Sequence, residues 1–384
     1  MCHQITIILA GIYIHIPFCK TRCSYCDFFS STDDSTASRY VAAISRELEV
    51  RKSELPNETI QTIYFGGGTP SQLSIEQFER IFRVIQSNYS IDENAEITIE
   101  ANPDDMTEAY VKGLVALPFN RVSMGVQSFD DDDLKSLNRR HSSVQAVEVI
   151  DLCRKYNLSN ISIDLIYGLP NQTIEAWRKN VDIAISLPVQ HISAYHLIYE
   201  KGTDLYRKLK KGEVKEADED LSVEMFQYLR EKLLEKGFLH YEISNFALDG
   251  FFSRHNSSYW KGFPYLGIGT AAHSFDGVNR FWNPSNIKIY LDQAKAGVFS
   301  PEIEESTLHT RYNDFVIVTL RTMWGLDLSE LERRFGNELK KFFLQEASHF
   351  LHKGLLLQVD NRFTISSEGL FVSDSIMSQL LFVE

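Results

Sequence analysis

The chain has 384 residues, 43% of them hydrophobic, and a formal net charge of −13. That length suits one large domain with a smaller one, and that hydrophobic content builds an ordinary globular core. The acidic balance excludes nonspecific nucleic-acid binding as the main task, and no apolar run approaches the roughly eighteen residues of a membrane-spanning helix.

Strand and helix alternate along the chain. Residues 1–11 hold a weak apolar run without a basic start, so they read as lead-in to a first strand over 12–16 and not as a cleaved signal peptide. Cys19, Cys23 and Cys26 follow in a short loop. Residues 35–55 read as a helix, with Tyr40, Val41, Ile44 and Leu48 at helical spacing. A strand over 61–65 runs into Gly66, Gly67 and Gly68, then Thr69 and Pro70. Ser74 to Gln77 spells a capping box, and its helix turns Phe78, Ile81, Phe82 and Ile85 inward. Further strands are expected at 95–100, 121–127, 161–167 and 191–197. Helices are expected from Thr107 to about 117, from the second capping box at Ser142 to about 156, and over 173–187. The strands read as mostly apolar on both faces, which predicts parallel strands covered by helices. Six such units fall short of the ~250 residues of a closed eight-stranded barrel. The pattern fits an α/β fold built on a partial, six-unit barrel; an open doubly wound sheet is the alternative.

Past residue 200 the style changes. Residues 201–237 are highly charged and read as a solvated face, with one helix burying Val223, Phe226, Leu229 and Leu233 and ended by Gly237. Residues 241–246 read as a strand, and a loop rich in Gly, Asn and aromatic residues runs to about 285. Roughly the last seventy residues read as three helices, a hairpin turning at Asp360 and Asn361, and a final helix, the pattern of a winged-helix-like α+β module. The expected divisions are 1–240, 241–310 and 311–384.

Three thiolates in so short a loop can close around one inorganic centre. Soft thiolates select iron–sulfur clusters or zinc. On a [4Fe–4S] cube, three cysteines leave one iron without a protein ligand, and an open position is where metal-site chemistry usually happens. Tyr25, Phe28 and Phe29 can screen such a centre from water. Zinc with a distant fourth ligand, or inert thiols, are the plainer readings, although zinc sites more often use C-x2-C pairs. A disulfide scaffold is weaker still, because five cysteines serve a long chain. A reducing, cytoplasmic home suits thiolates that must stay unoxidised. Cys153 lies on an apolar helical face and reads as core; Cys2 belongs to no motif.

Following directly on Tyr13-Ile-His-Ile-Pro-Phe18, the C-x3-C-x2-C loop resembles that of radical S-adenosylmethionine (SAM) proteins. More narrowly it resembles the oxygen-independent coproporphyrinogen III oxidase group. The resemblance implies the partial barrel, a [4Fe–4S] cluster on Cys19, Cys23 and Cys26, and SAM chelated by the open iron. One electron then splits the sulfonium to a 5′-deoxyadenosyl radical. Functional residues of parallel α/β folds collect at the carboxyl ends of the strands. There, Gly67 and Gly68 let backbone approach a ligand, Glu100 and Gln127 end two strands, and Arg139 follows an acidic loop. Asp164 is a carboxylate inside an apolar strand, where an unpaired charge is costly. Singly, each passes for a surface or capping residue. In order, Tyr13, Gly67, Gly68, Thr69, Glu100, Gln127, Arg139 and Asp164 resemble the group's SAM-contacting positions, with Tyr25 beside the cluster.

Two features separate the branches of the group. The oxidases resemble C-x3-C-x2-C-x-C, and here Phe28 stands at the last position. They also carry an extension before the cluster strand, where this chain has about a dozen residues. His255-Asn-Ser-Ser-Tyr-Trp260 resembles the H-N-x-x-Y-W signature of the heme chaperone branch, as do the segments at 241–247 and 267–275. A neutral imidazole ligates heme iron well, and Tyr259 and Trp260 can stack on a porphyrin. On its own the same histidine reads as a structural loop residue, and His240 and His273 lie nearby in sequence. The resemblance implies a heme-carrying protein that retains a SAM and cluster core. It implies heme as cargo, respiratory hemoproteins as recipients (some met at the membrane) and homodimers, while the acidic balance argues against a nucleic-acid partner. The rival is the oxidase reaction, decarboxylation of two propionates of coproporphyrinogen III.

Overall fold

The computed structural model describes residues 9–55 and 58–383; the expected lead-in over 1–8, with Cys2, lies outside them. Six parallel strands form the centre: β1 (Leu9–Ile16), β2 (Thr59–Gly67), β3 (Ser90–Ala101), β4 (Arg121–Gln127), β5 (Asn160–Tyr167) and β6 (His191–His196). They are hydrogen-bonded in chain order. Between them run α1 (Ala37–Val50), α2 (Ile75–Asn88), α3 (Glu108–Val115), α4 (Asp131–Ser136), α5 (Ser143–Lys155) and α6 (Ile174–Ser186). This is the six-unit partial barrel. Both capping boxes form, at Ser74 and Ser142, and Thr107 and Thr173 cap α3 and α6.

The strands are not apolar on both faces, as their composition suggested. Ile12, Ile14 and Ile16, then Ile63 and Phe65, Ile97 and Ile99, and Val122, Met124 and Val126 pack under the helices. Their neighbours in sequence are polar: Tyr13 and His15, Thr62 and Tyr64, Glu96, Thr98 and Glu100, Arg121 and Ser123, Ser162 and Asp164, His191 and Ser193. Side chains in a strand alternate faces, so these share the inner wall. The apolar layer lies outside the wall, and the inside is a hydrogen-bonding surface. Buried polar groups persist only when partnered, which makes this wall a place for ligands and for mutual support.

Beyond β6, α7 (Asp204–Lys210) and α8 (Glu219–Glu235) fill the charged stretch. α8 buries Met225 with Phe226, Leu229 and Leu233, while Val223 is only partly covered. The single strand expected over 241–246 is a hairpin, β7 (Leu239–Glu242) and β8 (Asn245–Ala247), set antiparallel on β6. The expected long loop holds α9 (Arg254–Trp260), β9 (Tyr265–Ile268), β10 (His273–Phe275) and β11 (Arg280–Trp282). β9 lies parallel to β1; α10 (Ile287–Ala296) and β12 (Glu302–Glu304) complete a twelve-stranded sheet. Elements of three or four residues are too short to show a hydrophobic period, so sequence reading passes over them.

A second apolar core begins at Tyr312. It is built from α11 (Leu308–Leu320), β13 (Leu326–Asp327), α12 (Leu328–His352), β14 (Leu356–Val359), β15 (Arg362–Ile365) and α13 (Ser373–Gln379). α12 breaks at Gly336, so it supplies two of the three helices expected. The hairpin turns at Asp360, which takes a φ of 53°.

Candidate functional site

A cavity of about 470 Å³ opens at the carboxyl ends of the parallel strands. The loop after β1 forms one side and carries Cys19, Cys23 and Cys26, all free thiols. Backbone bonds hold this loop in place: Cys19 N–H donates to Ser31 O at 2.9 Å, and Ser24 N–H to Leu137 O at 3.1 Å. Two further donors meet the sulfurs. The Thr69 hydroxyl donates to Cys19 Sγ at 3.3 Å and Arg139 Nη1 to Cys23 Sγ at 3.4 Å. Burial pushes the Cys26 thiol up to about 11 and raises Cys19 as well. A cationic metal centre reverses that preference, because metal binding draws thiols into their thiolate form. Among the described residues no three His, Cys, Asp or Glu gather closely enough for a single ion. Three unpaired thiols facing one cavity, two of them receiving hydrogen bonds, fit a thiolate-bound cluster.

The opposite side is the inner wall. Gly67 takes a φ of 108°, and any Cβ there would strike the His15 ring; a Cβ on Gly68 would meet the Pro17 backbone at 2.8 Å. Gly67 N–H donates to Glu100 Oε2 at 3.1 Å, and the Tyr64 hydroxyl to Glu100 Oε1 at 2.7 Å. Burial raises the Glu100 carboxyl to about 7 despite both donors, and Asp164 to about 6. The Ser193 hydroxyl, Arg121 and Arg139 pull Asp164 back down. Gln127 faces the cavity with a φ of 68°, a left-handed conformation unusual for a residue with a side chain. Arg139 Nη2 donates to Asn102 Oδ1 at 2.6 Å and to the Gly125 carbonyl, which spans β3 and β4. Tyr25 lines the cavity, its hydroxyl raised by burial.

Cys19, Cys23, Cys26, Tyr25, Gly67, Gly68, Thr69, Glu100, Gln127, Arg139 and Asp164 therefore surround one space. Tyr13 does not line it. Its hydroxyl lies 3.1 Å from His15 Nδ1, and His15 Nε2 lies 3.0 Å from the Phe29 carbonyl. Tyr13 and His15 brace the cysteine loop from below. Sequence reading missed His15, Tyr64, Asn102 and Arg121. Arg121 is 2% exposed, its Nε has no hydrogen-bond partner among the described residues, and its charge reaches Glu100, Asp164 and His191. The strict polar alternation along the strands was the signal that could have found these residues.

The His255 motif lies apart from this cavity's lining and on a helix, not in a loop. α9 packs against β1 and β2, with its first backbone N–H groups tied to Glu96: Arg254 N–H donates to Oε2 and His255 N–H to Oε1, each at 3.0 Å. His255 is 1% exposed. Its Nδ1 lies 2.8 Å from Thr62 Oγ1 and its Nε2 2.7 Å from the Tyr259 hydroxyl. Burial and the Arg121 charge lower it to about 3, so the ring is neutral. It stacks on Tyr64 at 4.9 Å. Tyr259 is turned inward, and Trp260 packs on Tyr241 at 5.8 Å. Neither presents an open stacking face to the main cavity. His240 is stacked on Phe246 at 4.1 Å, while His273 is exposed beside Trp282.

Residues 13–184 match the radical SAM superfamily model, and residues 307–372 match the HemN C-terminal domain. The heme chaperone HemW of Lactococcus lactis is 32% identical over 96% of both chains. HemW of Bacillus subtilis is 31% identical over 97% of this chain and 99% of its own. The chain belongs to the HemW family of radical SAM proteins. Its fold is shared with coproporphyrinogen III oxidase (HemN) from Escherichia coli, at a TM-score of 0.85 and 22% identity, over 97% of this chain and 90% of that one. Membership of the radical SAM superfamily implies a [4Fe–4S] cluster and SAM for the core. Among the described residues no helix is long and apolar enough to cross a membrane.

Proposed function

We propose that the protein is a heme chaperone: it binds heme and passes it to respiratory hemoproteins, while its core holds a [4Fe–4S] cluster and SAM. Cys19, Cys23 and Cys26 hold the cluster. Gly67, Gly68 and Thr69 receive the amino-acid end of SAM, with Glu100, Gln127, Arg139 and Asp164 on the rest of the nucleoside. Tyr13 acts one layer further out, through His15. The cluster, when bound, supplies single electrons. The chain's own contribution is the orientation of its ligand and the exclusion of water by Tyr25.

The observation that carries this reading is the near-full-length likeness to heme chaperones in a chain whose fourth cysteine position is Phe28, 64% exposed at the cavity rim. His255 enters as a conditional iron ligand. Metal-bound histidines nearly always hold a second partner on the other ring nitrogen, and Thr62 is already placed for that at Nδ1. Nε2 becomes available only if the Tyr259 hydroxyl leaves it. Localisation is proposed as cytoplasmic, with peripheral membrane contact during delivery, and the active unit as a monomer or a homodimer.

The test is anaerobic reconstitution with iron and sulfide, then titration with heme and, separately, incubation with coproporphyrinogen III, SAM and reductant. A Soret band without protoporphyrinogen formation is expected. Protoporphyrinogen formation would establish the oxidase instead.

A further inference from the structure

A second cleft, of about 210 Å³, lies beside α9; His255 and Tyr259 do not line it, but Thr62, which meets His255 Nδ1 at 2.8 Å, does. Its walls are Phe252, Phe263 and Trp324, and its charges are Arg254 and Lys261. Among the described residues no carboxylate lines it, in a chain whose net charge is −13. The Lys261 ammonium has no acidic partner within ion-pair distance among the described residues; it stands 5.0 Å over the Trp324 ring. The Arg254 guanidinium donates, among the described residues, to neutral acceptors, Asn94 O at 2.6 Å and Gln61 Oε1 at 2.7 Å. Ser257, 5% exposed, lines the cleft with a hydroxyl that meets no partner among the described residues. Trp324 comes from the C-terminal module and crosses Phe252 edge-on at 5.9 Å. The cleft is therefore shared between the barrel and that module.

We propose that this cleft grips the carboxylate-bearing edge of a porphyrin, with a propionate on Lys261 and the ring edge against Trp324 and Phe263. The inference rests on the heme-carrying reading and adds a site to it. Aromatic walls with cations beside them suit a planar ring with acidic substituents, through ring-edge contact and charge-assisted hydrogen bonds. Its volume admits an edge of a macrocycle and not the whole ring. Partial enclosure suits a carrier, since ligand sites that hold a small molecule tightly bury most of its surface. The cleft acts on the ring and its carboxylates, not on iron, so metal-free ligands separate its contribution from that of His255, which meets its wall at Thr62.

The experiment is a set of titrations of reconstituted protein with heme, metal-free protoporphyrin IX and protoporphyrin IX dimethyl ester, which lacks free carboxylates. Lys261→Glu is expected to weaken heme and protoporphyrin IX about tenfold, the loss of one charge-assisted hydrogen bond, and to leave the ester unchanged. Trp324→Ala is expected to weaken all three, whereas His255→Ala should weaken heme more than the two metal-free ligands. Lys261 is exposed, so its variant keeps the fold, and unchanged cluster content checks this. If wild-type protein binds heme and both cleft variants match it on every ligand, the cleft assignment fails while the chaperone reading stands. If wild-type protein binds no porphyrin, both fail together.

Discussion

Glu100 and Asp164 line the cavity, and in the proposed role burial and ligand binding would oppose each other there. Burial holds them protonated to about 7 and about 6. Since each keeps its proton above the ordinary carboxylate range, their ionisation lowers folded-state stability as pH climbs through that range to about 7. Ligand binding runs the other way if ribose hydroxyls donate to Glu100. SAM affinity of the reconstituted protein is expected to rise several-fold from pH 6 to 8 and then level, as a charged acceptor outbinds a neutral one by a factor of that order. Glu100→Gln should flatten the profile, and a flat wild-type profile would remove Glu100 from the SAM site. At α9, Tyr259→Phe frees His255 Nε2, so heme titration should show a tighter complex with a shifted Soret band; His255→Ala should lose that shift. An identical spectrum in all three proteins would leave His255 as a structural brace only. The cysteines were legible because three thiols at fixed spacing have few uses. Arg121 and Tyr64 were not, because their role exists only where neighbouring strands bring polar positions to one wall.

The same contrast holds for elements. Capping boxes and long amphipathic helices were readable because their signals are local. The strands after β8 were not, because each is held by side chains far away in sequence. Glu47 on α1 shows how. It is fully buried, accepts from Gly269 N–H at 2.8 Å, Asn283 Nδ2 at 2.7 Å and the Tyr290 hydroxyl at 2.7 Å, and pairs with Arg51 at 2.7 Å. Arg51 in turn donates to the Gly267 carbonyl at 2.9 Å and Ser274 Oγ at 3.2 Å. One ion pair thus fastens α1 to β9, β10 and α10. Arg51→Ala leaves Glu47 buried without its cation, and urea unfolding should show a loss of about 3–5 kcal/mol. A loss below about 1 kcal/mol, the scale of an exposed pair, would show that water reaches Glu47.

For the molecule as a whole, the six-unit barrel and the winged-helix-like module were both visible in the pattern of elements. Their joint was not. Glu242, 2% exposed on β7, meets Arg321 at the end of α11 at 2.6 Å, and Phe226 on α8 meets Phe371 edge-on at 5.3 Å. These contacts link the two cores and place Trp324 beside α9. The proposed function rests first on the cysteine loop, where three free thiols face the cavity. The most direct measurement is electron paramagnetic resonance of the anaerobically reconstituted, reduced protein with and without SAM, alongside metal analysis. The expected result is a [4Fe–4S] signal that changes on SAM addition and disappears in Cys23→Ala. Zinc in place of iron, or a cluster signal indifferent to SAM, would contradict it.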